Sequence, residues 1–131
     1  MIFAVDVRAE TPVNETELPD RVERAVRTVF PDADITWETG RLVAEKHDLA
    51  HFSELLHEQE ILDTARNAFE VDEEGFSFRL KKAAAFEGVV NFAVGSPGEL
   101  GVIDVRVDVR EPSVEQYIDH VIPSTEDGEP V

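Results

Sequence analysis

Cysteine is absent from the 131 residues, which removes disulfides, thiolate metal sites and cysteine nucleophiles from consideration. Lysine is almost absent, since Lys46, Lys81 and Lys82 are the only ones and the other basic residues are arginines. No apolar run approaches the roughly 20 residues needed to cross a bilayer. The first ten residues, MIFAVDVRAE, lack the charged start and long apolar stretch of a signal peptide and read as a strand. A soluble cytoplasmic domain is therefore expected, with no membrane partner. Catalytic signatures are missing too. There is no G-x-S-x-G, and Ser96 lies in the turn sequence GSPG rather than in an elbow between strand and helix. No G-x-x-x-x-G-K-[ST] or G-x-G-x-x-G loop offers to cradle a phosphate. Carboxylates are too plentiful for any pair to stand out as acid and base.

What the chain has in excess is negative charge. Asp and Glu number 29 against 12 Lys and Arg, for a formal net charge of −17. Self-repulsion of this size strains a domain in dilute salt. In molar salt the Debye length falls to about 3 Å and the repulsion is largely screened. The acidity is read as an adaptation to a salt-loaded, halophile-type cytoplasm; an acidic decoy, or a binder of basic partners, is the alternative. Since the solvent accounts for the charge, it argues only weakly against a nucleic-acid partner. With 42% hydrophobic residues, the length suits one domain with its own core. That domain is placed at residues 1–122, followed by a polar, acidic tail at 123–131 expected to be disordered.

The patterning predicts an α+β fold. Phe3, Val5 and Val7 alternate with Asp6 and Arg8, as in a half-buried strand. Leu18, Val22, Ala25, Val26, Val29 and Phe30 follow helical spacing, with Asn14 or Thr16 as candidate N-caps and Pro31 ending the helix. Residues 35–39 and 42–46, divided by Gly40, read as a bent strand or hairpin. Asp48 is positioned to cap a helical stretch reaching Glu70. There Leu49, Phe52, Leu55 and Leu56 share one face, while Ile61, Leu62, Ala65 and Phe69 lie on another, so a break is expected near residues 57–60. Strands are predicted at 76–80, 89–94 and 103–110, with a turn at 95–98. A short helix capped by Ser113 carries Val114, Tyr117, Ile118 and Val121. The sum is two layers, with helices on one face of a mostly antiparallel sheet and charges on the other.

Two clusters could carry chemistry. His47 and His51, with His57, Glu54 and Glu58, form the one group with metal-ligand spacing. Its stripe lies opposite the apolar face and H-E-x-x-H is absent, so a solvated helix face is the plainer reading. The second cluster is where positive charge survives. Residues 75–94 hold Arg79, Lys81 and Lys82 against Glu87 alone, and the helix at 20–30 holds Arg21, Arg24 and Arg27 against Asp20 and Glu23. Such cations can contact phosphates once salt has shortened the range of the global field. The plainer reading is cross-strand pairing, in which Arg79, Arg8, Arg106 and Arg110 balance Asp6, Asp104 and Asp108. No exposed aromatic pair of the kind that stacks bases is apparent.

The segments LLHEQEILDTARNAF (55–69) and FRLKKAAAFEGVVNF (78–92) resemble the archaeal uncharacterised protein family 0201. In that family a helix reads L-L-x-x-Q-x-I-L-D-x-A-R and a strand and turn read F-x-L-N-K-Q-A-A-F. Gln59, Ile61, Leu62, Asp63, Ala65 and Arg66 match the first motif, and Leu80, Lys82, Ala84, Ala85 and Phe86 the second. Lys81 stands in place of Asn and Ala83 in place of Gln. The resemblance extends over nearly the whole chain up to Pro123. It implies a fold similar to that of the large-subunit ribosomal protein that binds five-S RNA, and by analogy RNA binding. It implies no established activity and no cofactor.

The leading expectation is a non-catalytic domain associated with structured RNA or a ribonucleoprotein through Arg79, Lys81 and Lys82, with Arg66 and Gln59 as neighbours. The rival is a protein-interaction or homodimerisation module that uses the sheet face or the helix at 114–121. A metal-dependent enzyme is a third reading.

Overall fold

A computed structural model describes residues 3–93 and 101–123, together with the backbone of 125–126 and 129–130. Its elements run β1 (Ala4–Pro12), α1 (Pro19–Val29), β2 (Asp34–Glu38), β3 (Arg41–Lys46), α2 (Ala50–Glu58), α3 (Leu62–Ala68), β4 (Glu70–Val71), β5 (Gly75–Lys81), α4 (Lys82–Phe86), β6 (Val102–Glu111) and α5 (Val114–Val121). Six strands form one sheet in the order β2-β3-β1-β6-β5-β4, and every neighbouring pair is antiparallel. The α+β architecture predicted from the alternation is the one observed.

The core lies between the helices and one sheet face. Val5, Val7 and Ala9 of β1, Phe76, Phe78 and Leu80 of β5, and Ile103, Val105 and Val107 of β6 are all buried on that face. Against them pack Val22, Ala25, Val26 and Val29 of α1, Phe52 and Leu56 of α2, and Leu62 and Ala65 of α3. Phe52 stacks on Phe78 with ring centroids 4.9 Å apart, and Phe69 on Phe76 at 4.6 Å, so aromatic contacts join both halves of the helix pair to β5.

The break between α2 and α3 falls where the two apolar faces require it, and Glu60 adopts a positive φ of 55° at the joint. The β2–β3 hairpin turns at Gly40, whose φ of +77° suits glycine. Ser113 accepts the Gln116 N–H at 3.1 Å, as expected of an N-cap, whereas Leu49, not Asp48, stands at the N-cap of α2, and the Asp48 carboxylate accepts the Ala50 N–H at 2.9 Å from one place earlier.

Three other expectations need correction. Neither Asn14 nor Thr16 caps α1. Leu18 stands at that position without a side-chain bond, and the turn before it is closed by the Glu17 carboxylate, which accepts the Asn14 N–H at 3.0 Å. The turn expected after β5 contains the helix α4. As a consequence 89–94 is no full strand: Leu80 and Phe92 form an isolated bridge, with the Lys81 N–H bonded to the Asn91 carbonyl at 2.7 Å. Val94 and the turn at 95–98 lie outside the described residues. Beyond Pro123, Thr125–Glu126 pairs with Glu129–Pro130 apart from the main sheet. Among the described residues no helix is long and apolar enough to cross a membrane.

Candidate nucleic-acid interface

Alternation along β5 decides which of its cations meet solvent. Phe76, Phe78 and Leu80 turn under the helices, so Ser77, Arg79 and Lys81 project from the opposite face. Arg79 lies opposite Asp104 in the β5–β6 register and Lys81 opposite Val102. Both cations are exposed. Among the described residues neither makes an ion pair within 4.0 Å or a side-chain hydrogen bond.

Lys82 has the inward parity of Leu80, and the chain passes into α4 without changing it. Its side chain is 0% exposed, and its ammonium donates to the Pro12 carbonyl at 2.7 Å and to Glu17 Oε1 at 2.8 Å. The expectation that Lys82 contacts RNA is therefore corrected: a buried charge needs a partner, and this one has it in the connector between β1 and α1. Lys46 likewise follows Leu42 and Ala44 inward and lies 3.6 Å from Asp48. Of the three lysines only Lys81 is exposed.

The two expected neighbours are also structural. Gln59, in the joint between α2 and α3, donates to the Gly88 carbonyl at 3.1 Å and accepts the Val90 N–H at 2.9 Å, fixing the loop after α4. Arg66 donates to the Ile122 carbonyl and to Asp119 at 3.3 Å, tying α3 to the end of α5. Neither adjoins Arg79 and Lys81 as a free contact group. The other matched motif residues follow suit, with Leu62, Ala65, Leu80 and Ala85 buried in the core.

Most remaining arginines on the open sheet face are engaged, but of the expected cross-strand pairs only Arg110–Asp6 forms, because the β1–β6 register sets Arg8 opposite Arg106 and Asp6 opposite Asp108. Arg8 pairs with Glu10 at 2.7 Å, Arg41 with Glu38 and Glu10, and Arg110 with Asp6 at 3.1 Å. Arg106 grips Asp72 at 2.6 Å and Asp108 at 2.9 Å. The Arg106 bond, helped by the Glu74 N–H, holds the Asp72 carboxyl well below the usual carboxylate range. Asp104 shows the opposite: partial burial pushes its carboxyl up, Arg79 opposes the shift, and Glu10 adds to it. On the helical side Arg21 lies over the Phe86 ring, 5.6 Å from its centroid.

A groove of about 490 Å³ opens between β5–β6 and the end of α3. Arg79, Asp104, Ser77, Asn67 and Glu70 line it together with Arg8, Glu10 and Arg106. Of these, reasoning on the sequence singled out Arg79 alone as a binding residue. Asn67 carries no pattern that would have marked it.

The histidine cluster does not assemble. His47 precedes α2 and turns to β1, with Nδ1 3.1 Å from Asp6 Oδ1; His51 lies 3.8 Å from Glu54 along the helix. Among the described residues no group of three His, Asp or Glu side chains could hold a metal. The apolar side of α5 is not offered to a second copy either, because Tyr117, Ile118 and Val121 are buried against the domain's own core. Burial pushes the Tyr117 hydroxyl up to about 12, and that hydroxyl accepts the Leu49 N–H at 3.0 Å.

A family model described as RNA binding matches residues 6–109. A UPF0201 protein of Methanopyrus kandleri is 47% identical over 138 residues, covering 92% of this chain and 86% of that protein. A UPF0200/UPF0201 protein of Archaeoglobus fulgidus is 33% identical over 130 residues, and the chain spans 97% of its own length but 40% of that larger relative. The crystal structure of a UPF0201 protein from Methanococcus jannaschii superposes with a TM-score of 0.87 at 29% identity, covering 96% of this chain and 98% of that one. The motifs that suggested a kinship thus build the helix joint and the α4 turn of a fold shared along nearly the whole chain, and the protein belongs to the archaeal UPF0201 family.

Proposed function

We propose that this chain is a non-catalytic domain that associates with structured RNA through Arg79 and Lys81. One observation carries the reading: on a surface where most cations are already paired, these two neighbours on the outer side of β5 are exposed and, among the described residues, have no acid bonded to them. The family model described as RNA binding supports the same reading. Arginine suits this task because its planar fork matches phosphate oxygens. The acidic shell opposes a polyanion at long range, but at the ionic strength of a salt-loaded cytoplasm only groups within a few ångströms of the phosphate count. The fold likeness to the five-S-RNA-binding ribosomal protein, implied by the resemblance, belongs to this proposal.

Anisotropy of a labelled structured RNA, titrated with the chain over a series of KCl concentrations, tests it. A contact built on two or three cations predicts a shallow negative dependence of log affinity on log salt, with a slope of about −1 to −3. The double variant Arg79→Glu/Lys81→Glu should lose at least about tenfold in affinity at moderate salt. No binding at any salt at which the domain is folded, or affinity indifferent to both the salt and the variant, overturns the proposal.

A further inference from the structure

We propose that the groove beside β5 is a ribonucleotide subsite that takes a phosphate at Arg79 and a ribose 2′-hydroxyl at Asp104; this rests on the RNA reading above and goes further by assigning the sugar. The groove, at about 490 Å³, falls within the range of pockets that enclose small ligands. Its floor is the β5–β6 pair, where Arg79 and Asp104 stand opposite each other in register. Its wall is the end of α3, where Asn67 and Ala68 face it.

Two complementary groups share this space, and among the described residues each lacks a hydrogen-bonded partner. The neighbouring arginines do not satisfy Asp104, because Arg8 is held by Glu10 and Glu45, and Arg106 by Asp72 and Asp108. A guanidinium donates and suits a phosphate bidentately. A carboxylate accepts only, so it demands a donor such as a hydroxyl, the pairing by which acidic residues read ribose in dinucleotide sites. The juxtaposition disfavours a plain polyanion, since Asp104 repels a second phosphate, and it favours a ligand with an anion and a hydroxyl separated by a sugar.

The test uses the full chain and a short single-stranded oligoribonucleotide, its DNA counterpart and its 2′-O-methyl form, by anisotropy at fixed salt. Wild type should favour RNA over DNA by at least about fivefold, the worth of one net hydrogen bond. The 2′-O-methyl form should bind like DNA. Asp104→Asn should shrink the ratio of RNA to DNA affinity towards one; because the ratio is read, the general gain from removing a negative charge cancels. Arg79→Gln should weaken RNA and DNA alike. Equal affinity of wild type for RNA and DNA, or a ratio that survives Asp104→Asn, overturns the subsite and leaves the phosphate contact of Arg79 and Lys81 standing. Binding to neither polymer overturns the subsite, and the titration with structured RNA then decides the phosphate contact by itself.

Discussion

The Lys82 ammonium lies 2.8 Å from a carboxylate oxygen of Glu17, 65 positions away in the chain, with the lysine side chain 0% and the glutamate 5% exposed. The pair joins the start of α4 to the connector ahead of α1, and the Pro12 carbonyl takes a second bond from the same nitrogen. The other carboxylate oxygen, Glu17 Oε2, is buried and accepts no hydrogen bond among the described residues. Such a pair is held by mutual need rather than by surplus energy, because desolvating both charges offsets most of their attraction.

Lys82→Met should therefore cost about 3–5 kcal/mol, because it leaves Glu17 buried without a counter-charge. The double variant Lys82→Met/Glu17→Leu should regain most of that loss, since two apolar side chains need no partner. Urea denaturation of the wild type, both single variants and the double closes the cycle. Strictly additive losses would show that the two groups are not coupled. RNA affinity of the folded variants should stay at the wild-type value.

Gln59→Ala and Arg66→Ala should each lower stability by about 1–2 kcal/mol, as expected when hydrogen bonds to backbone groups are removed. Neither should alter the salt slope of RNA binding. A loss of RNA affinity in the folded Gln59 variant would return that residue to the interface.

These assignments show which information one sequence carries. Local periodicity was legible: the alternation at 103–110, the two helical faces on either side of residue 60, and the Ser113 cap all stand in the structure. Lys82 was legible in part, because its parity with Leu80 already points it inward. Its acid partner was not, for nothing local marks Glu17. The same limit hid α4, a five-residue helix that follows directly on a strand and is held by contacts with α1 and by the loop that Gln59 fixes. The groove depends on register between β5 and β6, which pairing across the sheet determines and spacing alone does not.

Gly75 occupies a place where another backbone comes close. A Cβ there would collide with the carbonyl oxygen of Val107 in β6. Gly75→Ala should therefore destabilise by about 1–3 kcal/mol, the usual range for overpacking, despite alanine's smaller entropy cost. A variant as stable as wild type would show that β5 can slide away from β6 at its first residue.

Two aspartates on the open face should respond to pH with opposite signs. Asp72 is held low by Arg106, so its contribution to stability is complete above the ordinary carboxyl value of 3.8 and fades as pH falls towards the folded-state value. Asp72→Asn should thus be less stable than wild type by a constant margin from pH 7 to about 4. The gap should close only below that. Asp104 is pushed up by burial, so its ionised form burdens the fold at neutral pH and the burden lifts as pH falls through the raised value. Asp104→Asn should therefore be the more stable protein at pH 7, with an advantage that shrinks in acid. Thermal melts between pH 7 and pH 3 check both, and parallel shifts of the two variants would contradict the assigned environments.

Salt sets the ion pairs against the excess of carboxylates. Pairs such as Arg8–Glu10 and Arg41–Glu38 are partly exposed, and each contributes about 0–1 kcal/mol that salt weakens. Against them stands a formal charge of −17, whose repulsion acts over about 10 Å in 0.1 M salt and about 3 Å in 1 M. The carboxylates outnumber the cations by 29 to 12, so most of them have no cation to lose, and relief of repulsion should win. The melting temperature should rise steadily from 0.1 M to molar KCl. Replacing exposed acids remote from any pair, such as Glu58 and Glu115, by glutamine should flatten that rise. If the melting temperature falls with salt instead, the ladder of pairs on the sheet face holds the domain together, and the acidity is no adaptation to a concentrated solvent.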